Sequence, residues 1–222
     1  MEPIPSIIHE SWHKLLQPLF DDEKMKIIKH EILPSSPFYP LPENIFRVFS
    51  MPLQDIKVVI LGQDPYHSGE AIGYAFAINE NYNKPASLRV IESELIKSYS
   101  IGFHNNWTFD KTLQRWVTQG VFLLNTALTV EYKNAGSHLK IWEWFTIEVI
   151  RLISFEANPL WLLWGKKAQG YTTVIKKNPN ATIINAPHPA AQCYGGDKFV
   201  GTNVFIKANE YLMTVGKEPI KW

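Results

Sequence analysis

The chain is 222 residues long, a length that fits one compact domain with a substantial core. Apolar residues make up 45% and aromatics 13%, which excludes intrinsic disorder, and no run approaches the roughly 18 consecutive apolar residues of a membrane span. Net charge is only +1, and a single cysteine, Cys193, excludes an internal disulfide and leaves no sequence case for structural zinc.

In chain order, residues 6–32 carry helical apolar spacing, with Trp12, Leu15, Leu16 and Leu19 followed by Met25 and Ile28. The amino terminus, Met1-Glu2-Pro3-Ile4, lacks the basic start and apolar stretch of a secretory signal, so an intracellular protein is expected. The proline-rich stretch LPSSPFYPLPENIF at 33–46 reads as an extended connection whose aromatics pack down. Four short apolar runs follow as strand candidates: KVVIL at 57–61, VFLL at 121–124, LWLLW at 160–164 and TIIN at 182–185. None alternates with polar residues, which is the pattern of a parallel sheet covered on both faces.

Helices fall between them. Ser87 is placed to cap a helix carrying Leu88, Ile91 and Leu95, Asp110 to cap one ending near Gly120, and a third apolar pattern runs over 142–155. Further helices are expected after Gly165 and over 202–213, with Gly216 as a stop signal. The expectation is one α/β domain over 1–222, a three-layer α/β/α sandwich around a central four-stranded parallel sheet. Charge is unevenly spread: residues 157–207 hold six lysines against one acid, whereas residues 1–50 hold seven acids and five bases. That asymmetry permits a phosphate-facing side.

Polar groups follow each strand candidate directly. Gly62-Gln63-Asp64-Pro65-Tyr66-His67 comes after the first, Asn125 after the second, Gly165-Lys166 after the third and His188-Pro189 after the fourth. In open parallel sheets ligands bind outside the carboxyl ends of the strands, so Asp64, Asn125 and His188 are expected to converge. An amide that donates to a carbonyl oxygen and accepts from the neighbouring ring N–H matches the edge of uracil, whereas cytosine offers the reverse. His188 has the chemistry to donate to a second ring oxygen as charge develops there, and Asp64 to align a water and stabilise a cationic sugar.

These same residues resemble those of the uracil-DNA glycosylases of family 1, over nearly the whole chain. VVILGQDPYH at 58–67 resembles that family's water-activating motif, and LLNTALTV at 123–130 its uracil-reading strand. Ser137-His138 and WEWFT at 142–146 are similar to its next helix, and LLWGKKAQ at 162–169 and APHPAAQCYGG at 186–196 to two of its DNA-contacting loops. The resemblance implies that Asp64 orients the attacking water and that a neutral His188 hydrogen-bonds the leaving base. It further implies that Asn125 reads the uracil edge, Phe76 stacks on the extruded ring, Gln63 holds it through its backbone, Tyr66 excludes the thymine methyl and His67 faces a phosphate. Implied with these are a monofunctional enzyme of base excision repair with no metal or organic cofactor, and no Schiff-base lysine in the pocket motifs.

The departures from the family pattern lie in loops that would touch DNA. The proline-rich loop before the serine is reduced to Lys84-Pro85-Ala86-Ser87, the Gly-Ser pair after the third strand is Gly165-Lys166, and His-Pro-Ser-Pro-Leu becomes His188-Pro189-Ala190-Ala191-Gln192. The family's leucine is an apolar wedge in the gap left by the flipped base, so Gln192 is expected in that place with an amide instead. Ser87, Gly165 and Lys166 complete the expected DNA contacts. The expected partners are uracil-containing DNA, single- or double-stranded, and a proteinaceous glycosylase inhibitor, with the chain itself a monomer. A DNA-binding or replication-associated protein with weak glycosylase activity is the alternative, motivated by the altered loops. Cys193, His104 and His138 receive no functional role.

Overall fold

The computed structural model describes residues 3–100 and 108–222; His104 lies outside them. Six strands occur among the described residues: β1 (Phe38–Tyr39), β2 (Val58–Gly62), β3 (Val121–Asn125), β4 (Val130–Glu131), β5 (Leu160–Trp164) and β6 (Thr182–Ala186). β2, β3, β5 and β6 form one parallel sheet in the order β3-β2-β5-β6, as the four apolar runs predict. Gly62 is the ladder partner of Asn125, and Trp164 that of Ala186, so the carboxyl ends of the strands finish level with one another. β2, β3 and β5 are buried throughout. β6 departs from that expectation: Thr182, Ile183 and Ile184 are partly exposed and Asn185 is exposed.

The longer helices are α1 (His13–Asp21), α3 (Ala86–Ser98), α5 (Leu139–Glu156) and α8 (Val204–Thr214); α2 (Glu23–Ile27), α4 (Gln114–Val117), α6 (Lys166–Gln169) and α7 (Thr172–Ile175) are short. Right-handed crossovers dictate which face each takes. The chain steps one way from β2 to β3 through α3, then the other way through α5 and α7, so these lie on opposite faces. Accordingly α5 packs with α1 and α7, whereas α3 packs with α8, which itself covers β5 and β6. The result is the expected three-layer sandwich.

Aromatic side chains fill both interfaces. Under α5, Trp12 meets Phe49 edge-on at 5.2 Å and Phe122 at 5.6 Å, while Phe145 packs on Phe46 and Trp142. Under α8, Trp164 meets Phe199 at 5.1 Å and Phe205 at 5.9 Å. Each such fully buried side chain contributes on the order of 1.5–3 kcal/mol, and Trp12, Trp142, Trp161 and Trp164 are all of this kind.

Several local expectations need correction. The helical segment over 6–32 is not continuous: Asp22 is extended and its carboxylate accepts the Lys24 N–H at 2.8 Å, which ends α1 and starts α2. Pro85, not Ser87, stands at the N-terminus of α3, with Ser87 inside the first turn. Asp110 does cap, accepting N–H groups of Thr112 and Arg115 at 3.0 Å, but the helix beyond it is the single turn α4. The proline-rich stretch also contributes a strand, since β1 pairs antiparallel with β4.

Candidate active site

The loops after β2, β3, β5 and β6 enclose a cavity of about 260 Å³, and Gln63, Phe76, Thr126, Gly165, Lys166, Lys167 and His188 are on its wall. Adjacent loops are tied to one another. The N–H groups of Thr126 and Ala127 donate to the carbonyls of Gly62 and Gln63 at 3.0 and 2.9 Å, and the Gln169 amide donates to the Ala186 carbonyl at 3.0 Å. The glycines are sterically required at two places. A methyl group on Gly62 would meet Asn125 Oδ1 at 2.3 Å, and one on Gly165, whose φ is +86°, would meet the His188 Cβ at 2.6 Å.

Asn125 sits behind Gly62, 5% exposed, and its Oδ1 has no hydrogen-bond partner. A buried acceptor left open costs about 1–3 kcal/mol, a cost that a ligand N–H would remove. The Tyr66 hydroxyl is likewise buried and unpartnered, with Ser87 beside it but outside hydrogen-bonding geometry. Burial lifts the Tyr66 phenol well above its ordinary range, so the group is neutral.

Asp64 Oδ2 accepts the Gly136 N–H at 2.5 Å, a contact spanning 72 residues. Burial raises the Asp64 pKa above the usual carboxylate value, opposed by that N–H, then by the charge of Lys167 and then by His67. His188 Nδ1 accepts the Ala190 N–H at 3.2 Å, which puts the proton of the neutral ring on Nε2, free to donate. Burial, reinforced by Lys167, lowers the His188 pKa and keeps the ring neutral. Phe76 is held at a left-handed φ of 65°, costly for an aromatic residue, and its ring lies 5.4 Å from Trp164 and 6.1 Å from His188. The strain places an aromatic face against the histidine.

The DNA-facing candidates are spread over loops around this mouth. The backbone carbonyl of His67 accepts the Lys133 N–H, and its Nδ1 lies 3.2 Å from the Ser68 hydroxyl. Lys166 and Lys167 are both exposed. A second cleft of about 530 Å³ shares Gly165, Lys166 and His188 with the base-sized cavity and is bounded beyond them by Ala191, Gly196 and Asp197. Gln192 does not present its amide oxygen outward as expected: Oε1 accepts the N–H groups of Phe199 and Val200 at 2.9 and 3.0 Å.

Lys167, on the cavity wall beside Lys166, is a residue to which the sequence assigned no role. It also borders a third cavity of about 240 Å³ that shares Gln63 and Thr126 with the first. Its one signal was adjacency to Gly165-Lys166. Gly136 was missed as well, because nothing local marks an N–H that reaches a carboxylate so far away in sequence. His138 is structural, as left: Thr129 bridges it to the Trp142 indole, with oxygen-to-nitrogen distances of 2.9 and 2.7 Å.

At the carboxyl edge of this α/β sandwich the neutral histidine and the strained aromatic line the cavity, with the open amide behind Gly62 and the desolvated carboxylate directly after Gln63, an arrangement suited to a hydrolase acting on a nucleobase bond. Comparison with known proteins makes the class specific. Residues 50–213 match the model of the uracil DNA glycosylase superfamily. A uracil-DNA glycosylase of Borrelia hermsii is 41% identical over 223 residues, covering 96% of this chain and 97% of its own. Among solved structures, mimivirus uracil-DNA glycosylase superposes with a TM-score of 0.84 at 26% identity, covering 97% of this chain and 87% of its own. A substituted form of the mimivirus enzyme in complex with UGI gives 0.86 at 26% identity, with 97% and 89% covered. The chain belongs to the uracil-DNA glycosylase family. Its activity is the excision of uracil from DNA in base excision repair.

Proposed function

We propose that residues 1–222 act as a single monomeric unit in which Asp64 and His188 carry the chemistry. Water, oriented by the Asp64 carboxylate, adds to C1′ of the deoxyuridine as the C1′–N1 bond breaks. The electron pair departs on uracil, and the His188 Nε2–H donates to the ring oxygen that gains the charge. The proton the water loses is taken up by the Asp64 carboxylate and passes to the uracil anion, while the hydroxyl stays on the sugar, leaving an abasic site and free uracil. Asn125 reads the uracil edge, Gln63 holds the ring through its backbone, Phe76 stacks on it, and Tyr66 stands where a thymine methyl would fall. His67, Ser87, Gly165 and Lys166 contact the strand around the flipped nucleotide.

The observation that carries this reading is the open, buried Asn125 Oδ1 on the same strand-end edge as a histidine whose free proton is on Nε2. The mimivirus relative binds UGI, and a protein inhibitor of that kind is proposed to close the same mouth here. No helix among the described residues is long and apolar enough to cross a membrane, and the protein is proposed to act inside the cell, where its substrate is.

The test is base release from oligonucleotides carrying uracil, thymine or cytosine, with Asp64→Asn alongside. Uracil alone should be released, release should survive a chelator, and borohydride should trap no covalent complex. The variant should lose on the order of 100-fold or more in rate. A variant as fast as the parent would remove Asp64 from the mechanism, and a trapped adduct would replace water by a lysine.

A further inference from the structure

We infer that Tyr194, not Gln192, is the side chain that enters the helix gap when this enzyme draws uracil out of duplex DNA. This assignment rests on the proposed site, since it presumes that the base enters the cavity beside His188.

Gln192 is committed elsewhere. Its Oε1 takes two backbone N–H groups, those of Phe199 and Val200, and so braces the His188 loop against the chain entering α8. Swinging it into DNA would strand both donors. Tyr194 is the opposite case. It is 83% exposed, whereas the next most exposed aromatics among the described residues, Phe155 and Tyr132, are 51% and 47% exposed.

Its position suits the task. Gly196 N–H donates to the Ala191 carbonyl at 2.9 Å, which pinches the loop into a turn over 192–195 with Tyr194 near its tip. Gly195, at φ +78° with open space around it, lets the chain reverse directly after the ring. The two pinch residues, Ala191 and Gly196, form the far wall of the cleft that shares Gly165, Lys166 and His188 with the base cavity. The ring therefore stands at the rim of the groove a strand must follow to deliver a base to His188. An aromatic side chain fills a base-sized gap and stacks on the neighbouring bases, which single-stranded substrate does not require.

The experiment compares kcat/KM on matched single-stranded and duplex uracil oligonucleotides for the parent, Tyr194→Ala, Tyr194→Phe and Gln192→Leu. Tyr194→Ala should lose about 10- to 100-fold on duplex and less than about threefold on single strands, and Tyr194→Phe should restore the duplex rate. Because the side chain is exposed its truncation removes no core packing, and the single-strand rate reports directly on any folding defect. An unchanged duplex-to-single-strand ratio in Tyr194→Ala would overturn the assignment. So would a rise in duplex preference for Gln192→Leu that persists in the Tyr194→Ala background. Loss of single-strand release in every protein, the parent included, would instead break the reading of the pocket.

Discussion

At the scale of single residues, burial and the charge of Lys167 act on two titratable groups. The proposed mechanism needs Asp64 ionised, which burial opposes, and His188 neutral, which burial favours. Lys167 lowers the pKa of both, so removing its charge moves both upward. With Lys167→Met, Asp64 stays protonated and His188 becomes protonated at higher pH than in the parent. The acid limb of the kcat profile should therefore shift to higher pH, while Lys167→Arg keeps the parental limb. A profile unmoved by Lys167→Met, with only the salt dependence reduced, would make it a phosphate contact alone. The chemistry at strand ends was legible in the sequence because each polar group follows an unbroken apolar run. The left-handed Phe76, the Gly136 N–H on Asp64 and the inward turn of Gln192 were not, since all three depend on contacts or dihedrals that residue identity does not encode.

At the scale of elements, a short connection between the His188 loop and α8 is held almost entirely by side chains from elsewhere. Gln192 takes the N–H groups of Phe199 and Val200, and Glu94, wholly buried on α3, takes those of Gly201 and Asn203 at 2.5 and 2.7 Å. Glu94→Ala removes the charged acceptor of two N–H groups on exposed residues, an expected loss of about 2–3 kcal/mol. A calorimetric melt should show Tm lower by roughly 5–10 °C. Amide exchange at Gly201 and Asn203 should quicken with it; an unchanged melt would mean that water replaces the carboxylate freely. The apolar spacing of α3 was readable, with Leu88, Ile91 and Leu95 all buried. That a glutamate between them points into the core was not, because its partners lie more than a hundred residues away.

At the scale of the whole molecule, one continuous core runs from Ile8 to Trp222 beneath a site fed by all four strands. No part of the sheet can separate without parting Asp64 from Asn125 or His188. Heat inactivation of uracil release should therefore share its midpoint with global unfolding to within a few degrees; earlier loss of activity would reveal a loop that melts on its own. The parallel architecture was legible because helices and buried strands alternate, whereas the β1–β4 ribbon, two residues on each side, is too short to leave a pattern. The pairing of Gly62 with Asn125 has a consequence for how such a protein diverges. Asn125, the proposed reader of the base, and the Gly62 it faces are neighbouring rungs of one ladder, so the calibre of that gauge is set by the backbone. The loops proposed to grip DNA are spliced on beyond the last rung, and substitutions there, such as those at Lys166 and Gln192, leave the gauge uncut.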